Sequence, residues 1–342
     1  GRVYLQSSRC YTKLYGQLGK ASRSRHFPAL ALAAGFSGGE YYHWLVEGLT
    51  RVLFLRKSLL AAHMQGAIED LPLVVPGPGG GEGGSSPRYV GETLNLLAKR
   101  WGPQHGLKPF KAMLEVNPDV RLSADQVFTV DWRPVQGAGV GNATGEAATG
   151  TELLPPKAGL ELIRQSFVPE VMEPPAGAGV ASSGPGPGPG PGRPLVYVSR
   201  DPDGKRGVVN QDEVISKLQP VAEALGTEVV VFDGQEEGVA GAIRVFSRAG
   251  AVVGVHGAGL ANTVFCAPGT TVVEMALPER EFDMYKHMAA ALDLPYVRFL
   301  LPPNHFESRP VVDAAGLAAA VAAALPARSA SAVAAGGSGG GG

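Results

Sequence analysis

The chain has 342 residues, which on a prior of roughly 150 per domain points to about two globular units. Its 48 glycines and 28 prolines make up about 22% of the residues against a usual ~12%, yet 44% are hydrophobic, so a collagen-like or disordered polypeptide is excluded. With 30 Lys and Arg against 31 Asp and Glu the net charge is -1, and no global field recruits nucleic acid or a membrane surface.

No apolar run reaches the ~18 residues of a transmembrane helix. The chain begins Gly1-Arg2-Val3 rather than with Met, which reads as a fragment whose signal or anchor lies upstream. Cys10 and Cys266 are the two cysteines, which excludes a Cys-based zinc site and leaves either one bridge or two thiols. Asn142-Ala143-Thr144 is an N-glycosylation sequon, compatible with a secretory lumen.

In chain order, residues 28–34 are predicted as a strand and residues 40–64 as a helix, with Tyr41, Trp44, Leu45, Leu49 and Val52 at helical spacing. A strand over 71–75, a helix over 88–101, strands over 113–116 and 127–130 and a helix over 156–166 complete a first α/β lobe, residues 1–170. Low-complexity inserts at 76–87, 136–150 and 174–194, and the tail from residue 327, hold much of the glycine and proline and are expected to be disordered. Residues 171–194 form the insert or linker between the lobes.

The second lobe, residues 195–326, alternates more regularly. Strands are predicted over 195–198, 227–232, 251–255, 270–275 and 296–300, and helices over 210–225, 239–248 and 281–292, with a short helix ending at Cys266. Asn210 followed by Glu213 reads as a capping box. Strands that are apolar throughout and alternate with helices form a parallel sheet covered on both faces, so this lobe is Rossmann-like.

The sharpest local feature is Val252-Val253-Gly254-Val255-His256-Gly257-Ala258-Gly259-Leu260-Ala261-Asn262. An apolar strand runs into glycines that open a helix, so backbone N–H groups point to the edge of the sheet where open α/β folds bind phosphates. The glycine order G-x-x-G-x-G is not that of dinucleotide binders, and no Gly-Lys-Ser/Thr follows. The same turn also serves without a ligand, and His256 equally suits a satisfied core position. Ser199-Arg200 closes the first strand of the lobe and Arg206 follows, two guanidiniums able to clamp a diphosphate or to remain in surface ion pairs. Asp201-Pro202-Asp203 has the form of a metal-diphosphate motif but also of an ordinary turn, and no metal ligands are assigned. Glu274 suits ribose hydroxyls or loop amides. In the first lobe His43 and Glu47 are four apart, so one helix face carries both, as a general base with its orienter or as a local pair.

Taken together, Tyr41-Tyr42-His43-Trp44-Leu45-Val46-Glu47-Gly48-Leu49, Tyr197-Val198-Ser199-Arg200 with Arg206 and Asn210, Phe246-Ser247, His256 to Asn262, Pro268-Gly269 and Val272-Val273-Glu274 closely resemble glycosyltransferase family 61. The resemblance runs from about Leu30 to Phe299. It implies an α/β fold of GT-B type, two Rossmann-like lobes with a nucleotide-sugar cleft between them, and inverting transfer in the secretory pathway. Members include plant core xylosyltransferase, xylan-decorating xylosyl- and arabinosyltransferases, and enzymes adding N-acetylglucosamine to protein O-linked sites.

By position, the resemblance makes Arg200 and Arg206 diphosphate contacts, His256, Gly257, Ala258, Gly259, Leu260 and Asn262 the nucleotide cradle, and Glu274 a donor-lobe polar contact. His43 and Glu47 would face the acceptor as catalytic residues. The chain departs from the family pattern at Thr50, where proline usually precedes Arg51. The resulting expectation is an inverting UDP-sugar-dependent transferase acting on a glycan or glycoprotein hydroxyl. No cofactor is tightly bound, no metal is required and no nucleic acid is a partner. The site of action is the Golgi or endoplasmic reticulum lumen, with membrane attachment through an anchor absent from this chain. A nucleotide-sugar or glycan-binding protein that has lost transfer is the alternative, and a nicotinamide-dependent Rossmann enzyme a weaker one.

Overall fold

The computed structural model describes residues 23–33, 40–64, 71–76, 87–101, 110–115, 120–130, 154–168, 192–201, 203–276, 278, 283–303 and 309–325. Apart from their ends, the glycine- and proline-rich inserts and the tail lie outside these residues, as do Cys10 and the sequon at Asn142. The elements in order are β1 (Arg23–Leu32), a π-helical stretch (His43–Gly48), α1 (Leu49–Met64), β2 (Leu71–Val75), α2 (Arg88–Trp101), β3 (Phe110–Glu115), β4 (Val120–Thr129) and α3 (Lys157–Phe167). They continue with β5 (Leu195–Val198), α4 (Gln211–Ala224), β6 (Val229–Phe232), α5 (Gly234–Phe246), β7 (Ala251–Val255), a 3-10 helix (Ala258–Phe265), β8 (Thr271–Ala276), α6 (Met284–Ala291), β9 (Tyr296–Leu300) and α7 (Ala314–Ala324). Among the described residues no helix is long and apolar enough to cross a membrane.

The chain divides into two compact units. One comprises Gly1–Ala176, Gly238–Ile243 and Phe282–Leu292, the other Gly177–Glu237, Arg244–Glu281 and Asp293–Gly342. The first holds a parallel four-stranded sheet in the order β3-β2-β1-β4. Its core includes Trp44, Leu45, Leu49, Leu73, Leu97 and Ile163, all fully buried. Helix α1 lies against α3 at a close approach: a Cβ on Gly159 would sit 2.5 Å from Thr50 Cγ2. Thr50, the position that departs from the family pattern, is buried and its hydroxyl donates to Val46 O at 2.6 Å, so the helix continues through it without proline.

The second unit holds a parallel five-stranded sheet in the order β6-β5-β7-β8-β9. Both sheets and the alternating helices accord with the α/β class read from the sequence. The strands β5, β7 and β8 are buried at every residue, as apolar runs without alternation require. Tyr197, Val253, Met275, Leu218 and Leu317 join one core.

Two local expectations change. Asn210 precedes α4 but makes no capping hydrogen bond to its backbone. Its amide instead donates to Glu213 Oε2 (2.9 Å) and Val312 O (2.8 Å), and its Oδ1 accepts from Val312 N (2.9 Å), tying the segment before α7 to the start of α4. Helix α5 begins earlier than expected and breaks at Gly238 (φ 62°), where Val239 N donates to Glu92 Oε2 at 3.1 Å. Helix α7 has no counterpart in the sequence reading; Asp313 caps it, accepting from Gly316 N at 2.9 Å.

Two glycines in helices have opposite surroundings. Gly91 in α2 is exposed, and a Cβ there meets nothing within 4 Å. Gly91→Ala should therefore stabilise the protein by about 0.5–1 kcal/mol through helix propensity. Gly159→Ala should destabilise it by about 1–3 kcal/mol, because the added methyl overpacks the Thr50 contact. Denaturant titration of both variants checks the opposite signs.

Candidate active site

In the second unit strand order reverses between β5 and β7, since the chain proceeds from β5 to β6 on one side and from β7 to β8 and β9 on the other. All pairings are parallel, so the carboxyl ends of β5 and β7 open on one edge, the place where open α/β sheets receive ligands. Ser199 and Arg200 leave β5 there, and His256 and Gly257 leave β7.

The turn after β7 fits against the end of β5 because side chains are missing. A Cβ on Gly254 would sit 2.9 Å from Val198 Cβ, and one on Gly259 2.7 Å from Val198 Cγ1. A Cβ on Gly257 would sit 2.1 Å from a terminal nitrogen of Arg200, so that guanidinium lies directly over the Gly257 backbone. Arg206, held at φ 64° in the left-handed region that non-glycine residues rarely enter, donates to His256 O at 2.9 Å. The structure thus brings Arg200, Arg206, His256 and Gly257 together, with Ala258 exposed and Gly259 half-buried beside them.

Leu260 and Asn262 support this turn from beneath. Leu260 is fully buried and its amide donates to Gly257 O at 3.0 Å, while the buried Asn262 donates from its amide to Gly259 O at 3.0 Å. Glu274 also lies beneath. Its carboxylate is fully buried, with Oε1 2.5 Å from His256 Nδ1 and Oε2 accepting from the Tyr296 hydroxyl at 2.5 Å. Both oxygens are thereby engaged by side chains of the same unit, and the carboxylate is buried.

The Asp201-Pro202-Asp203 carboxylates are also occupied. Asp201 Oδ1 accepts from Asp203 N at 3.0 Å, and Asp203 pairs with Arg309 at 2.6 Å. Tyr296 escaped the sequence reading because the β9 sequence reads as an ordinary strand; only its register two residues ahead of Glu274 on the neighbouring strand brings the groups together.

In the first unit His43 and Glu47 lie on the π-helical stretch, with His43 Nδ1 3.0 Å from Glu47 Oε1. The helix is widened where the Trp44 indole folds over Gly48: a Cβ there would sit 2.6 Å from Trp44 Cε3. Trp44 Nε1 donates to Thr93 Oγ1 at 2.8 Å, fixing the stretch to α2. Tyr42 is buried edge-to-face against His43 (5.4 Å) and Tyr285 (5.7 Å).

The Glu47 hydrogen bond holds the His43 pKa above the ordinary imidazole value; desolvation opposes this, and the charges of Glu47 and Glu40 add to it while Arg51 subtracts. Burial, aided by the Glu47 charge, pushes the Tyr42 hydroxyl well above the usual phenol range. Tyr89, edge-to-face with Tyr41 at 5.0 Å, is pushed up to about 12 by burial and then by Glu40.

The strand-order reversal, with arginines and a glycine turn at its edge, defines a Rossmann-like α/β protein. The sequence model of the family Glycosyltransferase 61 matches residues 41–273, more than half of the chain, so the chain belongs to that family and is a glycosyltransferase. The match spans His43, Glu47, both arginines and the turn, and ends one residue before Glu274. No curated protein matches the chain.

A raised His43 pKa fixes the sign of a pH effect. The interaction stabilises the folded protein fully below the unfolded imidazole pKa of about 6.5 and is lost as pH rises through the higher folded value. The stability difference between wild type and His43→Gln should therefore be largest below about pH 6.5 and shrink as pH rises above it. Urea midpoints on both sides of that pH check it; a difference that grows with pH contradicts it.

Proposed function

We propose that this glycosyltransferase moves a pentose or N-acetylhexosamine from a UDP-sugar to a hydroxyl of a glycan or glycoprotein, with inversion at the anomeric carbon and GT-B architecture. The observation that carries the reading is the Arg200 guanidinium lying over Gly257 at the β5/β7 edge. A nucleoside diphosphate seated there meets Arg200, a permanent cation with bidentate geometry, and the amides of Ala258 and Gly259. Negative charge grows on the leaving diphosphate in the transition state, and fixed donors at that place lower the barrier. Arg206 contributes charge while its hydrogen bond to the His256 carbonyl holds the turn.

His43 serves as general base in this reading. Glu47 accepts from Nδ1–H, which leaves Nε2 as the basic atom, and the carboxylate stabilises the imidazolium that forms when the acceptor hydroxyl gives up its proton. The arginines supply counter-charge without a metal, so the reaction is proposed to be metal-independent. The motif resemblance and the sequon favour the Golgi or endoplasmic reticulum lumen as the site of action.

Arg200→Ala should weaken UDP binding by roughly thirty-fold, from a charge-assisted contact of about 2 kcal/mol, and abolish turnover without lowering thermal stability. Gly257→Ala should do nearly the same, because the new methyl displaces the guanidinium. His43→Ala should retain UDP affinity while turnover falls by about 10²–10⁴-fold. Calorimetry with UDP, followed by UDP release across a panel of sugar nucleotides and acceptors, checks these outcomes. UDP binding by the wild type with no release from any pair would favour a binding protein instead. Unaltered UDP affinity in Arg200→Ala would remove the diphosphate role.

A further inference from the structure

Arg206 stands at φ 64°, a backbone conformation that a residue with a side chain keeps only when its surroundings over-determine it. The turns leading into and out of it are tight: Gly204 N donates to Asp201 O and Gly207 N to Gly204 O, both at 3.0 Å. A segment about a hundred residues further on holds this loop from outside. Residues 309–312 alternate, with Pro310 and Val312 buried and Arg309 and Val311 exposed. They meet the loop on both sides of Arg206. Three residues before it, Asp203 Oδ1 accepts from Arg309 Nη1 at 2.6 Å. Three residues after it, Val209 N donates to Pro310 O at 3.0 Å. The Asn210 amide follows, donating to Val312 O at 2.8 Å and accepting from Val312 N at 2.9 Å. Between these ties Val208 and Val312 enter the same core. The Asp203–Arg309 pair is exposed and contributes little by itself, so Asn210, with two bonds to one residue's backbone, is the principal tie.

We infer that residues 309–312 form a strap that sets the conformation of the Arg206 loop, with Asn210, Asp203 and Arg309 as positioning residues for the turn after β7. The inference rests on the nucleotide-sugar reading above. The strap grips the loop at Asp203 and at Val209 and Asn210, and the loop so held keeps Arg206 left-handed. Arg206 Nη1 in turn donates to His256 O, the carbonyl from which Gly257, Ala258 and Gly259 follow. With the strap released, Arg206 relaxes toward the ordinary backbone regions and its guanidinium leaves that carbonyl. The backbone amides that meet the diphosphate then lose their fixed place, and with it the advantage of donors already in position. Asp203 of the Asp201-Pro202-Asp203 motif thereby has a role, as the exposed anchor of the strap. Residues 309–312 lie beyond those matched by the family.

The test is calorimetry of UDP binding to the whole chain, run as a double-mutant cycle between the strap and Arg206. Asn210→Ala should weaken UDP binding about three- to ten-fold, the effect of losing its bonds to Val312. Arg309→Gln, which removes the exposed tie, should weaken it about two-fold. In an Arg206→Ala background neither substitution should weaken binding further, because the residue through which the strap acts is gone. A strap that served stability alone would lower the thermal midpoint and leave the UDP affinity of the folded protein unchanged in both backgrounds. Unchanged affinity in Asn210→Ala, or an equal loss with and without Arg206, overturns the inference. Should Asn210→Ala fail to fold, Arg309→Gln decides by the same cycle. UDP bound by the wild type without these effects in the variants defeats this inference only, whereas absence of UDP binding by the wild type defeats the nucleotide-sugar reading and this inference with it.

Discussion

Val198, the last residue of β5, stands against places where two side chains are missing. Gly254 and Gly259 both approach it more closely than any Cβ would allow, which lets the turn after β7 fold down onto the end of β5. Arg200 follows Val198 by two residues and is thereby delivered over Gly257, where again no side chain intervenes. The rest of the site hangs on this contact: the His256 carbonyl within reach of Arg206, Ala258 at the surface, and Leu260 and Asn262 beneath. An absence of atoms in the glycines fixes where the Arg200 cation sits.

The first unit solves a similar problem in the same way. Trp44 lies over Gly48 and is tied to Thr93, and the helix accommodates the indole by widening into a π-helical stretch. His43 and Glu47 ride on that stretch, held by Tyr42 on one side and by each other. In the first unit the polar groups ride on a π-helical stretch anchored by Trp44 against Gly48, and in the second they lie in the loops that leave β5 and β7, just ahead of the 3-10 helix. Such segments occur often at functional sites because they aim side chains that a regular element would not.

How much of this was legible depended on the range of the interaction. The strands Leu71–Val75, Leu195–Val198, Ala251–Val255 and Tyr296–Leu300 could be read to the residue, because a short apolar run between turn signals is a local property. The His43–Glu47 pair followed from four-residue spacing, although the π-helical geometry did not: the same apolar spacing suits either helix, and Gly48 matters only once Trp44 is seen above it. Asn210 looked like a helix cap because Glu213 follows it, and its amide does reach Glu213, yet the backbone it bonds is that of Val312, about a hundred residues away. The Ala-rich α7 carried little periodicity, and its one local signal was Asp313. Tyr296 is the clearest limit, since its role arises from strand register between β8 and β9.

The central claim is that the edge between β5 and β7 holds a nucleoside diphosphate. Hydrogen–deuterium exchange with and without saturating UDP tests it most directly, because the ligand should cover backbone amides. Slowed exchange is expected in peptides covering residues 199–206 and 256–265, where Arg200, Arg206 and the 3-10 turn lie. Unchanged exchange in both segments, with protection elsewhere or none at all, would contradict it.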